Sequence, residues 1–88
     1  MSISHIEIYY NNLKVILEVI MRIRDLREDR DLTQKEIAEY LHIKQNTYSQ
    51  YENEQRQIPI NFLIALAKYY NTSTDYILGL TNNPKAYK

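Results

Sequence analysis

The sequence predicts an all-α domain built from five helices. Its 88 residues include one glycine and two prolines, which are too few turn-forming residues for an all-β fold. Apolar residues recur at spacings of three and four over most of the chain, which is the period of a helix that buries one face. A hydrophobic content of 44% and a charged content of 25% are typical of a globular domain.

Residues 1–20 are predicted to form an N-terminal extension, in which a short strand or extended arm precedes a lengthened first helix. Residues 3–10 alternate loosely between apolar and polar side chains, as a strand does. A helix is expected from about residue 13 to 30, with Asn12 as its N-cap. A β-hairpin is the competing interpretation, but the consecutive apolar residues 15–17 break the alternation that it needs.

The extension leaves three hypotheses open. In the first, it is an arm that pairs with a second copy of the chain in a homodimer formed through residues 3–20, because its apolar stripe exceeds what one small domain buries. In the second, translation starts at Met21 and the preceding residues are a translated leader. In the third, the extension folds back on its own domain.

The centre of the chain, residues 33–53, predicts two short helices joined by a tight turn. Thr33 and Glu36 form a capping box, which starts the first of these helices at about Gln34. The turn requires a residue that tolerates positive φ, and His42 belongs to the few non-glycine types that are enriched there.

The second short helix, at about residues 45–53, has one apolar and one polar face. Tyr48 and Tyr51 lie three residues apart and are predicted to pack in the core. The other positions carry mainly amides and hydroxyls, instead of the Lys and Glu that are typical of a solvated helix. An amide offers a donor beside an acceptor, which is the pattern that reads adenine in a major groove. A solvated surface helix without a ligand explains this polarity equally well.

Two further helices complete the prediction. Pro59 precedes a helix at about residues 60–70, since proline is tolerated in a first turn. A last short helix follows, capped by Thr72 or Ser73. Residues 81–88 are largely polar and are predicted to form a flexible tail.

The two short helices follow a known family pattern. The matching positions are Gln34, Ile37, Ala38, Leu41, Ile43, Tyr48, Tyr51, Glu52 and Asn53. This pattern resembles the helix-turn-helix of the phage-repressor-like (Cro-type, Xre-like) family, and the resemblance extends over residues 21–80. It implies a small five-helix, lambda-repressor-like domain there. The chain departs from the family at His42, Lys44 and Glu54, where a turn glycine, a Ser or Thr cap and a glycine are usual.

The resemblance also implies a function, that of a sequence-specific DNA-binding transcriptional regulator. We expect a repressor that binds a palindromic operator in double-stranded DNA as a homodimer. The residues expected to read bases in the major groove are Gln45, Asn46 and Gln50. The residues expected to contact phosphates are Gln34, Lys44, Thr47 and Asn53. The alternative is an antitoxin-like or assembly module, in which the helix-turn-helix is structural and a protein partner binds elsewhere.

Composition argues against several other chemistries. The chain has no cysteine, so disulfides and thiolate metal sites are excluded and the reducing cytoplasm is the expected compartment. His5 and His42 lack metal-binding spacing, and one glycine is too few for a phosphate-cradling loop. No apolar run is long enough to cross a bilayer. We therefore expect no enzymatic activity, cofactor, metal or membrane partner.

The formal net charge of zero is unusual for a nucleic-acid-binding protein. Lys44 and Arg56 flank the second short helix, whereas Glu52 and Glu54 lie near its end in the sequence. A modest local positive face is therefore expected, with weak binding to random DNA.

Overall fold

The computed structural model describes the backbone of residues 5–85 and the side chains of residues 13–85. The described chain forms five helices and no strand, which confirms the predicted all-α class. The helices are α1 (His5–Glu28), α2 (Gln34–Leu41), α3 (Gln45–Glu52), α4 (Ile60–Tyr69) and α5 (Thr74–Ile77). Helix α1 contacts α3 and α5, α2 contacts α3, and α4 contacts α5.

The lengthened first helix is confirmed, but it starts much earlier than the sequence predicts. Helix α1 runs without a break from His5, so the expected strand does not form over residues 5–12 and Asn12 is not an N-cap. Once a helix has nucleated, each added residue contributes one backbone hydrogen bond, which outweighs a weak alternation that has no neighbouring strand to pair with. The first four positions of the predicted strand and arm lie outside the described residues.

Among the described side chains, each helix contributes a fully buried apolar or aromatic residue to a common core. These side chains are Ile23, Ile37, Tyr48, Leu66 and Ile77. Tyr51 and Tyr70 are also buried, as the sequence predicts for Tyr51, and the ring edges of Tyr48 and Tyr51 meet at 6.3 Å between centroids. The tyrosines of α3 are therefore core residues that fix this helix to the domain.

Every helix is followed, one to three residues after its last residue, by a residue in the left-handed region. The residues are Asp31 (φ 54), His42 (φ 58), Glu54 (φ 64), Asn71 (φ 53) and Gly79 (φ 79). In each case the next amide donates back across the turn, as Ile43 N does to Ala38 O at 3.0 Å and Gln55 N to Gln50 O at 3.0 Å. This is the long hydrogen bond of a Schellman ending. The prediction of positive φ at His42 is confirmed.

The predicted helix starts at α2 and α5 are also confirmed. The Thr33 hydroxyl accepts from Glu36 N at 3.1 Å, and the Ser73 hydroxyl accepts from Tyr76 N at 3.1 Å. Ser73 is thus the N-cap of α5, and the alternative cap Thr72 instead donates to Pro84 O at 2.5 Å.

The segment after α5 makes contacts with the rest of the domain, and the flexibility of residues 81–88 stays a prediction. Arg22 Nη2 donates to Asn82 Oδ1 at 2.9 Å, and its guanidinium lies over the Tyr76 ring at 4.1 Å. With the bond from Thr72 to Pro84, this joins residues 82 and 84 to α1 and to the turn before α5, while residues 86–88 lie outside the described chain. Within the part of the chain that the structure describes, no helix is long and apolar enough to cross a membrane.

Candidate nucleic-acid interface

Helices α2 and α3 pack against each other across a tight turn. Ala38 lies on the inner side of α2 and is 2% exposed, so a small side chain stands where the two helices meet. His42, with φ 58 and ψ 42, then reverses the chain. Lys44 occupies the N-cap position of α3 but makes no side-chain capping bond. The turn thereby leaves the start of α3 open to the surroundings.

Helix α3 has one buried face and one open face. Tyr48, Tyr51 and Glu52 are buried. The open face begins with Gln45 and Asn46, which are both exposed. A ligand that approaches α3 therefore meets amides first.

The three predicted base readers fall on or beside this open face. Gln45 and Asn46 lie in the first turn, and Gln50 is half-buried one turn further on. The backbone carbonyl of Gln50 accepts hydrogen bonds from Gln55 N at 3.0 Å and Arg56 N at 3.2 Å. The loop after α3 therefore holds the last turn of the helix in place.

The four predicted phosphate contacts lie around the same face in different environments. Lys44 and Asn53 are exposed at opposite ends of α3, and Thr47 is half-buried. The Asn53 amide nitrogen is bonded to the Ser49 hydroxyl at 3.1 Å. Gln34 is half-buried, and its Nε2 donates to the Glu52 carboxylate at 3.1 Å.

A buried ion pair lies directly behind this interface, and sequence reasoning missed it. Glu52 is 0% exposed. Arg27 approaches it with two donors, since Nε lies 2.9 Å from Oε2 and Nη2 lies 3.0 Å from Oε1. A two-pronged arginine–carboxylate contact is among the strongest that side chains make. The available signal was Arg27 itself, which occupies the apolar face of α1 and needs a partner there.

Further donors complete the surroundings of Glu52. The Tyr48 hydroxyl donates to Oε2 at 2.5 Å, in addition to the bond from Gln34. Arg24 donates to the Glu52 carbonyl at 2.6 Å, and its Nε lies 3.8 Å from the carboxylate. This network ties α1, α2 and α3 together at one carboxylate.

The ionised form of Glu52 is favoured despite its burial. Burial alone would raise the pKa of Glu52, but the hydrogen bonds from Arg27, Tyr48 and Gln34 outweigh it and hold that pKa below its ordinary value. Burial, and then the bond to Glu52, raise the pKa of Tyr48 well above its ordinary value. The hydrogen bond to Glu52 is also the main reason why the pKa of Arg27 is raised.

This ion pair corrects the charge balance inferred from the sequence. The sequence suggested that Glu52 adds a negative charge beside the open face of α3, but its carboxylate lies inside the domain and is paired with Arg27. Lys44, Arg56 and Glu54 are exposed, so the positive charges that flank α3 oppose one nearby carboxylate instead of two.

The described residues offer no competing site for metal chemistry, because they contain no cluster of three or more His, Asp or Glu side chains able to hold an ion. The geometry around α2 and α3 defines a helix-turn-helix protein. The helix-turn-helix family matches residues 23–77, which is more than half of the chain, and the chain belongs to this family.

Three curated relatives support that assignment. An uncharacterised HTH-type transcriptional regulator of Bacillus subtilis (strain 168), YobD, is 43% identical over 63 residues, which cover 72% of this chain and 56% of the relative. The HTH-type transcriptional regulator ImmR of the same organism is 43% identical over 58 residues, 66% of this chain and 46% of the relative. The cryptic phage CTXphi transcriptional repressor RstR of Vibrio cholerae is 41% identical over 49 residues, 56% of this chain and 44% of the relative.

The chain spans about half the length of these curated relatives. No solved structure shows significant similarity to it.

Proposed function

We propose that this protein represses transcription by binding a palindromic operator in double-stranded DNA as a homodimer. Helix α3 enters the major groove, where Gln45, Asn46 and Gln50 read base edges. Lys44, Thr47, Asn53 and Gln34 contact the flanking phosphates.

The observation that carries this proposal is the division of α3 into two faces. Tyr48, Tyr51 and Glu52 anchor one face in the core, while Gln45 and Asn46 are exposed on the other. Fixing the backbone of a reading helix before DNA arrives reduces the ordering cost of binding. Amides presented on such a rigid element discriminate adenine, because each pairs with N6 and N7 together.

Gln34 connects the phosphate contact to the interior. One N–H of its amide is bonded to Glu52, and an amide nitrogen has a second N–H. That second donor reaches a phosphate while the first keeps the side chain in one orientation. The buried carboxylate thus acts on DNA binding as a positioning group behind Gln34.

The relatives support regulation as the purpose of binding. Two are named transcriptional regulators and the third a phage transcriptional repressor. Because the chain matches only about half of each relative, the repressor role rests on the helix-turn-helix portion that they share.

Selection of binding sites from random double-stranded DNA, followed by titration of the selected site, tests the proposal. Gln45→Ala and Gln50→Ala should each weaken the selected site by about 1–3 kcal/mol and leave random DNA nearly unchanged. Lys44→Ala should weaken binding to both DNAs alike, because a lysine that contacts a phosphate does not distinguish bases. It should also reduce the slope of log K against log salt concentration by about one.

Two controls match these variants. Asn83→Ala removes an exposed amide outside the helix-turn-helix, and Lys68→Ala removes an exposed charge from the last turn of α4. Neither should affect DNA binding. If no site is enriched, or if the glutamine variants weaken both DNAs equally, the reading role of α3 is wrong. Capture of a specific protein partner without any DNA selection would instead support the assembly module.

A further inference from the structure

A cavity lies between α1 and the loop that follows α3. Its volume is about 330 Å³, within the range of about 300–1,000 Å³ that is usual for small-molecule sites. Three buried core residues, Val19, Tyr51 and Leu63, are among the side chains that line it. The packed core of the domain therefore holds the inner part of this cavity in shape.

The lining of the cavity has an apolar part and a polar part. On the α1 side, the apolar part is extended by Val15, Ile16 and Ile20. Apart from the Tyr51 hydroxyl, every polar side chain among the described lining residues comes from the loop 54–57. A molecule with an apolar body and a polar group at one end matches this division.

The polar part carries one negative and one positive side chain. Glu54 and Arg56 both line the cavity and are exposed, and within the described chain neither forms an ion pair. A ligand with a single charge would be attracted by one of these residues and repelled by the other. A neutral amide avoids this conflict, because its oxygen accepts from a guanidinium while its N–H donates to a carboxylate.

We propose that this cavity binds a small neutral amphiphile, meaning a molecule with an aliphatic body and an amide-like head group. A water molecule takes about 30 Å³ in the liquid and a methylene group takes a similar volume, so the cavity has room for about ten non-hydrogen atoms. Octanamide has about this size and is a suitable probe. Its chain packs against Val19 and Leu63, and its amide bonds to Glu54 and Arg56.

The loop that supplies the polar part also holds the end of α3. Gln55 N and Arg56 N both donate to Gln50 O, at 3.0 and 3.2 Å, and Tyr51 lines the cavity itself. A bound molecule therefore restrains the loop and the last turn of α3 together, which makes the opening of these two hydrogen bonds rarer. Since Gln50 is one of the proposed base readers, occupancy of the cavity acts on operator recognition; this consequence rests on the proposed function, whereas the site itself does not.

Titration of the ¹⁵N-labelled full chain with octanamide, followed by NMR without DNA, tests the site. A failure here is thereby distinguishable from a failure of DNA binding. The amide signals of residues 54–58 should shift. Hexanamide should bind about tenfold more weakly than octanamide, because two fewer methylene groups are buried. Octanoate and octylamine should each bind roughly fivefold more weakly, the effect of one lost hydrogen bond.

Two tryptophan variants locate the bound molecule. Val15 lines the cavity and is 43% exposed, so Val15→Trp should fill the space from the surface and abolish octanamide binding. Leu17→Trp is the matched control and should bind as the wild type does, since Leu17 is 41% exposed on the same helix but lines a different depression. Circular dichroism should show that both variants stay folded.

Amide hydrogen exchange tests the connection to α3. Octanamide should slow the exchange of the Gln55 and Arg56 amides. It should leave the exchange of the Ile43 amide nearly unchanged, because this amide closes the turn after α2 with a 3.0 Å bond to Ala38 O and lies outside the cavity.

Three results would overturn the proposal. No shift with octanamide would show that the cavity is filled by the chain itself or takes no ligand. Tighter binding of octanoate or octylamine would refute the neutral head group, and equal binding to both tryptophan variants would place the molecule elsewhere on the surface.

Discussion

Replacing Tyr48 with Phe removes one hydrogen bond from the buried ion pair and leaves the ring in place. The Tyr48 hydroxyl donates to Glu52 Oε2 at 2.5 Å, and both side chains are 0% exposed. A hydrogen bond to a charged group contributes about 1.5–3 kcal/mol. Tyr48→Phe should therefore lower the free energy of unfolding by about 2 kcal/mol, which corresponds to roughly 8–16 °C in Tm for a domain of this size.

Tyr70 provides the matched control. It is 1% exposed, and its hydroxyl has no hydrogen-bond partner among the described residues. Tyr70→Phe should therefore be neutral or stabilising, because it removes a buried polar group that is unsatisfied. Urea unfolding followed by circular dichroism at neutral pH measures both variants. Equal changes in the two variants would show that the Tyr48 hydroxyl contributes no more to stability than the unpartnered Tyr70 hydroxyl, and would refute the role assigned to it.

Three further changes test the same structure. The pKa of Glu52 is lower in the folded state than in the unfolded state. The stabilisation from ionised Glu52 should therefore be present above about pH 4.3 and be lost as the pH falls through the folded pKa. Measuring the free energy of unfolding at decreasing pH should show this loss, and the Glu52→Gln variant should not show it. His42→Gly should be neutral or raise stability by up to about 1 kcal/mol in thermal unfolding, since the residue has φ 58 and glycine avoids the Cβ strain there; a clear loss would assign the imidazole a contact of its own. Gly79→Ala should lower stability by about 1–3 kcal/mol in the same assay, because φ is 79 and a Cβ would lie 2.9 Å from Glu18 Cγ; unchanged stability would mean that α5 shifts freely on α1.

Local sequence patterns determined the helix-turn-helix. The Thr33 cap, the left-handed turn at His42 and the burial of Tyr48 and Tyr51 all depend on residues within one or two helical turns of each other. Interactions of this range act on the chain before it folds, so short spacings and side-chain types are enough to predict them. The family resemblance over residues 21–80 followed from the same positions.

Where the local sequence pattern is weak, the available hydrogen-bond partners determined the conformation instead. The alternation in residues 3–10 predicted a strand or arm, but a strand needs a partner to satisfy its backbone, and the described chain has none. The helix that begins at His5 satisfies its own backbone and continues into α1. The segment after α5 was predicted to be flexible because it is polar; the structure adds hydrogen bonds to it from Arg22 and Thr72, which its sequence alone does not indicate.

Only the tertiary structure decided the surroundings of Glu52. Arg27 lies 25 residues away in the sequence, and Gln34 lies 18 residues away. Which charges are buried together depends on how α1 packs on α2 and α3, and no spacing within one helix encodes that. The sequence by itself determined which helix presents amides; the packing of α1 decided that the carboxylate behind them is an internal anchor and not a surface charge.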